Sequence, residues 1–405
     1  MRPRSGWFDR PFGGWSTVFA AAHLRTPDLD AVRAATARLL AADPTTPPAL
    51  QVHGGLAWLR PDLDPTALAA RLVVPAAALD VGPGPDVSAA IARRAEAEPP
   101  LDPDLPFRLT LGPDHLVATV DHVIGDAAVA SPLVTGLLQA AAGDDDAVAG
   151  LLRPTSGGLL RPVLGTLARR LERQPPAVID DVPVLPRGEW RLHHGVAHAV
   201  LGAAANRSSK VEARRLGVRR SSLVMALVEQ AIAAEGLAPA DDVRTVVVDC
   251  RRYLDEGQVV RGNFSAGTAV AARWTDPRDV DTRVDHALEH ARPLLHLLAG
   301  AVTARRGTRA PRPVVRTPDP AARVRVHADY SVVVGGRTVG RLPWSGPPHF
   351  LSATRPQRPD AFGVIVLEAG GTLQVSVSHD RDYLEPAAVQ RVLGGLAGRL
   401  EQAAG

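Results

Sequence analysis

The chain is nearly without lysine. Of 46 basic residues only Lys210 is a lysine, and 43 acidic residues leave a net charge of +3. The arginines are scattered, so no basic stripe exists to track a phosphate backbone, and a nucleic-acid partner is excluded. There is one cysteine, Cys250. An internal disulfide is therefore excluded, and a reducing, cytoplasmic setting is expected. Long apolar runs are missing too. No stretch of about 18 apolar residues is present to span a bilayer. The opening MRPRSGWFDRPFGGW has no apolar core of the kind a signal peptide needs.

What the chain has is length and ordinary hydrophobicity. Its 405 residues are 45% apolar. That is too long for one comfortable core, and two domains of about 150–200 residues are expected. No internal repeat is visible. WSTVFAAAHL, from Trp15, reads as a first strand, and Asp28 as the cap of a helix with Leu29, Val32, Leu39 and Leu40 at apolar positions. PFRLTL and HLVATVDHV flank Gly112-Pro113-Asp114 and predict a hairpin. Ser131 and Pro132 fit the cap and first position of a helix ending near Ala142.

The character changes at Leu152–Trp190, which is rich in Pro and Arg, with a short helix predicted over 163–173. This segment reads as a crossover between two halves. In the second half, strands are predicted for HHGVAHAVLG, VRTVVVDCRR, SAGTAVAAR, YSVVVGGRTVG, AFGVIVLEAGG and LQVSVSHD. Helices are predicted near Ser208, over SSLVMALVEQAIAA, from about Val280, and at the end of the chain. There Leu384, Val389, Val392, Leu393, Leu396 and Leu400 face inward. The class is α/β (α+β).

The chemistry concentrates in LVATVDHVIGDAAVASPLV. Along the strand, Leu116, Ala118, Val120 and His122 share one face, while His115, Val117, Thr119 and Asp121 share the other. The plainer reading of His122 is a satisfied core histidine. Two features favour a functional one. His122 lies where a strand breaks into a loop, and that loop also carries Asp126. A histidine near neutral pKa is a natural general base for a hydroxyl or amine attacking a carbonyl. Asp126 could face His122, or anchor the loop through an arginine.

Asp121-His122-x-x-x-Asp126-Ala127 resembles the His-His-x-x-x-Asp-Gly motif of the condensation-domain and CoA-dependent acyltransferase superfamily. Other landmarks resemble it in the same order. WSTVFAAAHLRTPDLDAVRAATARLLAADP is similar to the first strand and helix. VVVDCRRYLDEGQVVRGNFSAG is similar to the Asp-x-Arg strand and later Gly-Asn step, and LQVSVSHDRDYLEPAAVQRVLGGLAGRLEQ to the closing strand and helix.

The resemblance implies two chloramphenicol-acetyltransferase-like subdomains in a V with a central tunnel. They would cover residues 1–152 and 191–405, joined by 153–190. It implies His122 as the base, or as the group that stabilises the tetrahedral intermediate. Asp126 would be paired structurally with Arg251, and Asn263 would lie near the tunnel. The donor would be a thioester of CoA or of an acyl or peptidyl carrier protein, the acceptor a small molecule, with no tightly bound cofactor and a monomeric chain. Asp121 stands where the motif's first histidine would be and Ala127 where its glycine would be. No plant-type Asp-Phe-Gly-Trp-Gly is found, and Asp360-Ala361-Phe362-Gly363 is a poor echo of it, so a bacterial natural-product branch fits better.

Other candidates read more simply. His193, His194 and His198 alternate along a strand without Cys or carboxylate at ligand spacing, so no metal site is expected. Ser208-Ser209 reads as a helix cap, and no G-x-S-x-G is present. Cys250 reads as an inert buried thiol. Gly335-Gly336 and Gly370-Gly371 read as hairpin turns, and Asp144-Asp145-Asp146 as a solvated helix end. Arg305, Arg306 and Arg309 read as a solvated loop, though they could attract CoA phosphates or an acidic carrier protein. Three functions remain in order of preference. The first is an acyltransferase giving an ester or amide. The second is a related enzyme catalysing cyclisation or another acid/base step on a carrier-bound intermediate. The third is a degenerate domain that only docks a carrier protein.

Overall fold

A computed structural model describes residues 15–53, 56–81, 86–152, 160–170, 192–239, 242–305, 324–333 and 338–402. The first half runs β1 (Ser16–Leu24), α1 (Leu29–Ala42), β2 (Gln51–His53), β3 (Leu56–Trp58), α2 (Pro65–Leu72), β4 (Val73–Pro75) and α3 (Val87–Glu96). It continues with β5 (Phe107–Leu111), β6 (His115–Asp121), α4 (Ala127–Ala141), α5 (Asp145–Leu151) and α6 (Leu160–Arg170). The second half runs β7 (His194–Leu201), α7 (Ala203–Leu216), α8 (Arg220–Ala234), β8 (Ala238–Pro239), β9 (Val243–Asp249), β10 (Ser265–Ala271), α9 (Pro277–Glu289) and α10 (Arg292–Arg305). It closes with β11 (Arg325–Val333), β12 (Trp344–Thr354), β13 (Ala361–Ala369), β14 (Thr372–Asp380) and α11 (Pro386–Gln402). The mixed α/β class expected from the sequence is the one found.

Two sheets organise the chain. The first has the order β12-β1-β6-β5-β4, and the second β10-β9-β11-β13-β14-β7 with β8 beside β11. β1 shows why its sheet is buried on both faces. Strand alternation sends Phe19 and Ala21 to one side, where they meet Val32, Leu39, Leu133 and Leu137 of α1 and α4. It sends Val18, Ala20 and Ala22 to the other, where Ile91, Ala92 and Ala95 of α3 cover them. The second sheet buries Val364, Val366, Val375 and Val377 against Val389, Val392 and Leu396 of α11.

β12 joins the two halves. It comes from the second half of the chain yet pairs antiparallel with β1, with Thr354 opposite Thr17. Its outer backbone amides are met by side chains of β14. Phe350 N–H donates to Gln374 Oε1 at 3.2 Å, and Ser352 N–H to Ser376 Oγ at 3.3 Å. Pro347 and Pro348 sit in β12, where a position beside only one strand tolerates a missing donor.

Several local expectations need correction. α4 starts at Ala127 rather than after Ser131, with Asp126 as its cap, and Pro132 lies inside the helix. The carboxylate at Asp126 is the stronger start signal, and the helix runs through the proline despite its missing N–H. Ser208 and Ser209 are interior to α7, not at its start, and their hydroxyls donate back to Ala204 O and Asn206 O. The long helix near Val280 is two helices, broken where Ala291 takes a positive φ of 50°. α6 begins at Leu160 and is described to Arg170. Of the 153–190 crossover, 153–159 and 171–190 lie outside the described residues, as do Gly335-Gly336, Arg306 and Arg309. Gly370 and Gly371 do form the β13–β14 turn, with φ of 55° and 79° that favour glycine. Cys250 is fully buried, and burial pushes its thiol up to about 12.

Candidate active site

β6 ends at Asp121, and His122 opens a single 3-10 turn over His122–Ile124. Asp121 caps that turn, accepting from Val123 N–H at 2.8 Å. His122 N–H still bonds Trp15 O at 2.7 Å, so the ladder with the start of the chain runs one residue past β6. Thr17 lies opposite Val120 in the β1–β6 register. Opposed residues share a face, as do residues two apart, so Thr17 and His122 point the same way.

They touch. Thr17 Oγ1 and His122 Nε2 are 2.6 Å apart. On the other edge of the ring, Nδ1 lies 3.2 Å from Asn263 Oδ1. The Asn263 amide is oriented by a second bond, Nδ2 donating to the His122 carbonyl. That leaves Oδ1 as the atom facing Nδ1, so Nδ1 carries the proton and Nε2 the lone pair. Thr17 is then the donor to Nε2, and its oxygen accepts from Thr354 Oγ1 at 3.2 Å. Burial pushes the His122 imidazole below its ordinary value; the bond to Asn263 and the charge of Asp126 oppose this. The ring is thus held in its basic form at neutral pH.

Asp126 is only 5% exposed. Its carboxylate caps α4 through Ala128 N–H at 3.1 Å. It also accepts from Arg251 Nη1 at 2.8 Å and Nη2 at 3.1 Å, from Phe264 N–H at 3.0 Å and from Ser265 Oγ at 2.9 Å. The loop that begins with His122 is therefore fastened to the start of β10 and the end of β9. Arg251 also donates to Asp249 at 3.0 Å and to Gly262 O at 2.8 Å. Burial works against its charge, but the carboxylates of Asp126 and Asp249 outweigh that and raise its pKa.

The motif's two unusual positions have plain structural settings. Asp121 is the turn cap just described. Ala127 is the first residue of α4, a conformation open to any residue. The residue that needs glycine is Gly125, with φ of 149° and a would-be Cβ 2.6 Å from the Val129 side chain.

The four residues singled out from sequence fall into two adjoining groups: His122 with Asn263, and Asp126 with Arg251. Thr17 and Thr354 were not singled out. Alternation along STVFAAAHL places Thr17 on a definite face, but only the strand register shows that this face is shared with His122. Among the described residues, no group of three or more His, Cys, Asp or Glu side chains is placed to hold a metal ion.

No family model and no curated protein matches the sequence. Solved structures do match in fold. One is TRI3 trichothecene 15-O-acetyltransferase from Fusarium sporotrichioides, at 12% identity and TM-score 0.66, over 100% of this chain and 95% of that one. Another is the first condensation domain of the CDA synthetase, at 14% identity and TM-score 0.60, over 97% and 91%. A third is the epimerization domain from the third module of tyrocidine synthetase B, at 13% identity and TM-score 0.55, over 98% and 95%. The chain has the fold shared by these acyltransferase and condensation-type structures.

Proposed function

We propose that the protein transfers an acyl group from a CoA or carrier-protein thioester to the hydroxyl or amine of a small acceptor, in bacterial specialised metabolism. The observation that carries this reading is the ring of His122. Its tautomer is fixed by Asn263, with the basic Nε2 turned toward a hydroxyl at 2.6 Å. In the reaction Nε2 takes the proton of the acceptor as its oxygen or nitrogen attacks the thioester carbonyl. The tetrahedral intermediate collapses with cleavage of the C–S bond, and the imidazolium returns the proton to the leaving sulfur. The thioester is already activated, so the chain's own part is to position and to move one proton. Subdomains 1–152 and 191–405 would flank His122, with donor and acceptor meeting there. Asp126 and Arg251 would hold the loop without touching substrate.

The test is thiol release from acyl-CoA and acyl-pantetheine thioesters, then from an acylated carrier protein, with pooled alcohols and amines. Acceptor-dependent release is expected, and His122→Ala should lower it by about 10²–10⁴-fold while the fold persists. Product mass separates transfer, which joins two molecules, from cyclisation, which does not. Full turnover in His122→Ala overturns the base assignment.

A further inference from the structure

At rest the lone pair of His122 is already in use. The bond from Asn263 Nδ2 to the His122 carbonyl fixes the amide, the amide fixes the imidazole tautomer, and the tautomer makes Thr17 the donor to Nε2. Thr17 Oγ1 is itself supplied with a hydrogen by Thr354. The threonine is 6% exposed, and β-branching makes its side chain stiff. β1 holds it between β6 and β12, with Val120 and Thr354 as its opposed neighbours. The crevice beside it, lined by Thr17, Phe19, Val120, His122, Gly125 and Ala127, is too narrow to hold a water molecule.

An enzyme that activates an acceptor against a thioester has a standing competitor in water. A bare Nε2 beside a bound thioester would activate water as readily as an alcohol, and the acyl group would be lost by hydrolysis. We propose that Thr17 is a built-in stand-in for the acceptor, covering the lone pair of His122 against water until the acceptor's own hydroxyl or amine displaces it. The acceptor makes the same kind of bond to Nε2 that Thr17 makes, so the exchange swaps one donor for another. Water alone could make that bond but brings no further contacts to drive the threonine aside. Thr17 is then a positioning and specificity residue, and no covalent step passes through it. This inference rests on the acyl-transfer reading above.

The test compares wild type, Thr17→Ala and Thr17→Ser. Thiol release from an acyl-CoA is followed with and without acceptor, and the His122 ring nitrogens are titrated by NMR in the protein alone. In Thr17→Ala, acceptor-independent release should rise about tenfold, and KM for the acceptor should fall about fivefold with kcat little changed. The latter is the fold-change of one hydrogen bond no longer displaced. Its His122 should titrate at higher pH, because the donor that favoured the neutral ring is gone. Thr17→Ser, which keeps the hydroxyl, should behave as wild type. Unchanged acceptor-independent release together with an unmoved His122 titration overturns the inference. So does an acyl adduct on Thr17, which would make it a nucleophile. The ring titration needs no turnover. A wild type that releases no thiol from any donor therefore counts against the acyl-transfer reading, while an unmoved titration counts against the role of Thr17.

Discussion

Asp126 and Arg251, 125 residues apart, form a two-pronged ion pair at 2.8 and 3.1 Å between the loop after β6 and the turn after β9. The carboxylate is nearly sealed from solvent, and its other lone pairs are taken by Phe264 N–H, Ser265 Oγ and Ala128 N–H. Removing Arg251 strands the buried carboxylate of Asp126, and removing Asp126 leaves Arg251 only its bonds to Asp249 and to backbone carbonyls. Asp126→Ala is expected to cost about 3–5 kcal/mol of stability and to lower turnover as His122 loses its footing. Arg251→Lys keeps the charge but not the fork, so it should fall between wild type and Asp126→Ala. Denaturant midpoints followed by circular dichroism, with turnover measured on the same samples, check this. A loss below about 1 kcal/mol for Asp126→Ala would place the pair with ordinary surface contacts.

Asn263 sets which nitrogen of His122 is basic. Because burial lowers the pKa of His122, the acid limb of the wild-type pH–rate profile should lie below the ordinary histidine value of about 6.5, with rate flat near pH 7. Asn263→Asp keeps an acceptor at Nδ1 and adds a negative charge that favours the imidazolium. The acid limb should therefore move to higher pH, so that more of the enzyme is protonated and idle at pH 6. Asn263→Ala removes the acceptor that selects the tautomer, and the rate should fall at every pH. An acid limb that does not move in Asn263→Asp would show that Asn263 does not control the ring.

Gly125 is the position in the loop where backbone and space both require glycine. Gly125→Ala puts a methyl group at positive φ, 2.6 Å from Val129 Cβ. It should lose about 1–3 kcal/mol of stability. It should also lose rate, because Val129 lies in the first turn of α4, whose cap is Asp126. Ala127→Gly, which restores the motif residue suggested by the resemblance, should gain no rate, since Ala127 is already helical. A large gain would mean that the amide of residue 127 is misplaced in the native chain.

Much of this site was legible because its chemistry sits where elements end. His122 stands where a strand ends and Asp126 shares the loop that follows, which a reading of that strand and loop finds; Arg251 and Asn263 are reached only through the resemblance. The helix start is hidden because Ser131-Pro132 imitates a cap. The resemblance pairs Asp126 with Arg251, 125 residues away, but no local signal marks Asp126 over Ser131 as the helix cap. Thr17 and Thr354 were illegible for another reason. Their contact spans 337 residues and depends on the register of β12, a strand disguised by Pro347-Pro348. The face of β6 that carries His115, Val117 and Thr119 is also buried, where Val117 packs in one cluster with Ile91, Ala92 and Ala95 of α3. Alternation in one strand can sort residues into faces, but it cannot say what will cover each face.

The seam where β7, β14 and β12 meet is expected to make the protein sensitive to acid. His198 of β7 and His379 of β14 are almost fully buried, and His194 is partly so. Burial pushes each imidazole down to about 4. The cationic neighbours Arg355 and Arg381 add to this at His194, Arg381 does so at His379, and His349 does so at His198. Glu96, which reaches Val196 N–H and Arg381, and Asp86 are the facing carboxylates. Above pH 6.5 these histidines are neutral folded or unfolded and do not tilt the balance. Between about 6.5 and about 4 the unfolded chain takes up protons that the folded chain refuses. Stability should therefore fall by up to about 1.4 kcal/mol per pH unit for each histidine in that window, before the carboxylates begin to titrate. Denaturant midpoints at pH 7, 6 and 5 measure the slope. His379→Gln cannot take up a proton in either state, so it should remove one histidine's share of the slope. A midpoint unchanged from pH 7 to 5, or a slope untouched in His379→Gln, would show that these rings take up protons as readily in the fold as out of it.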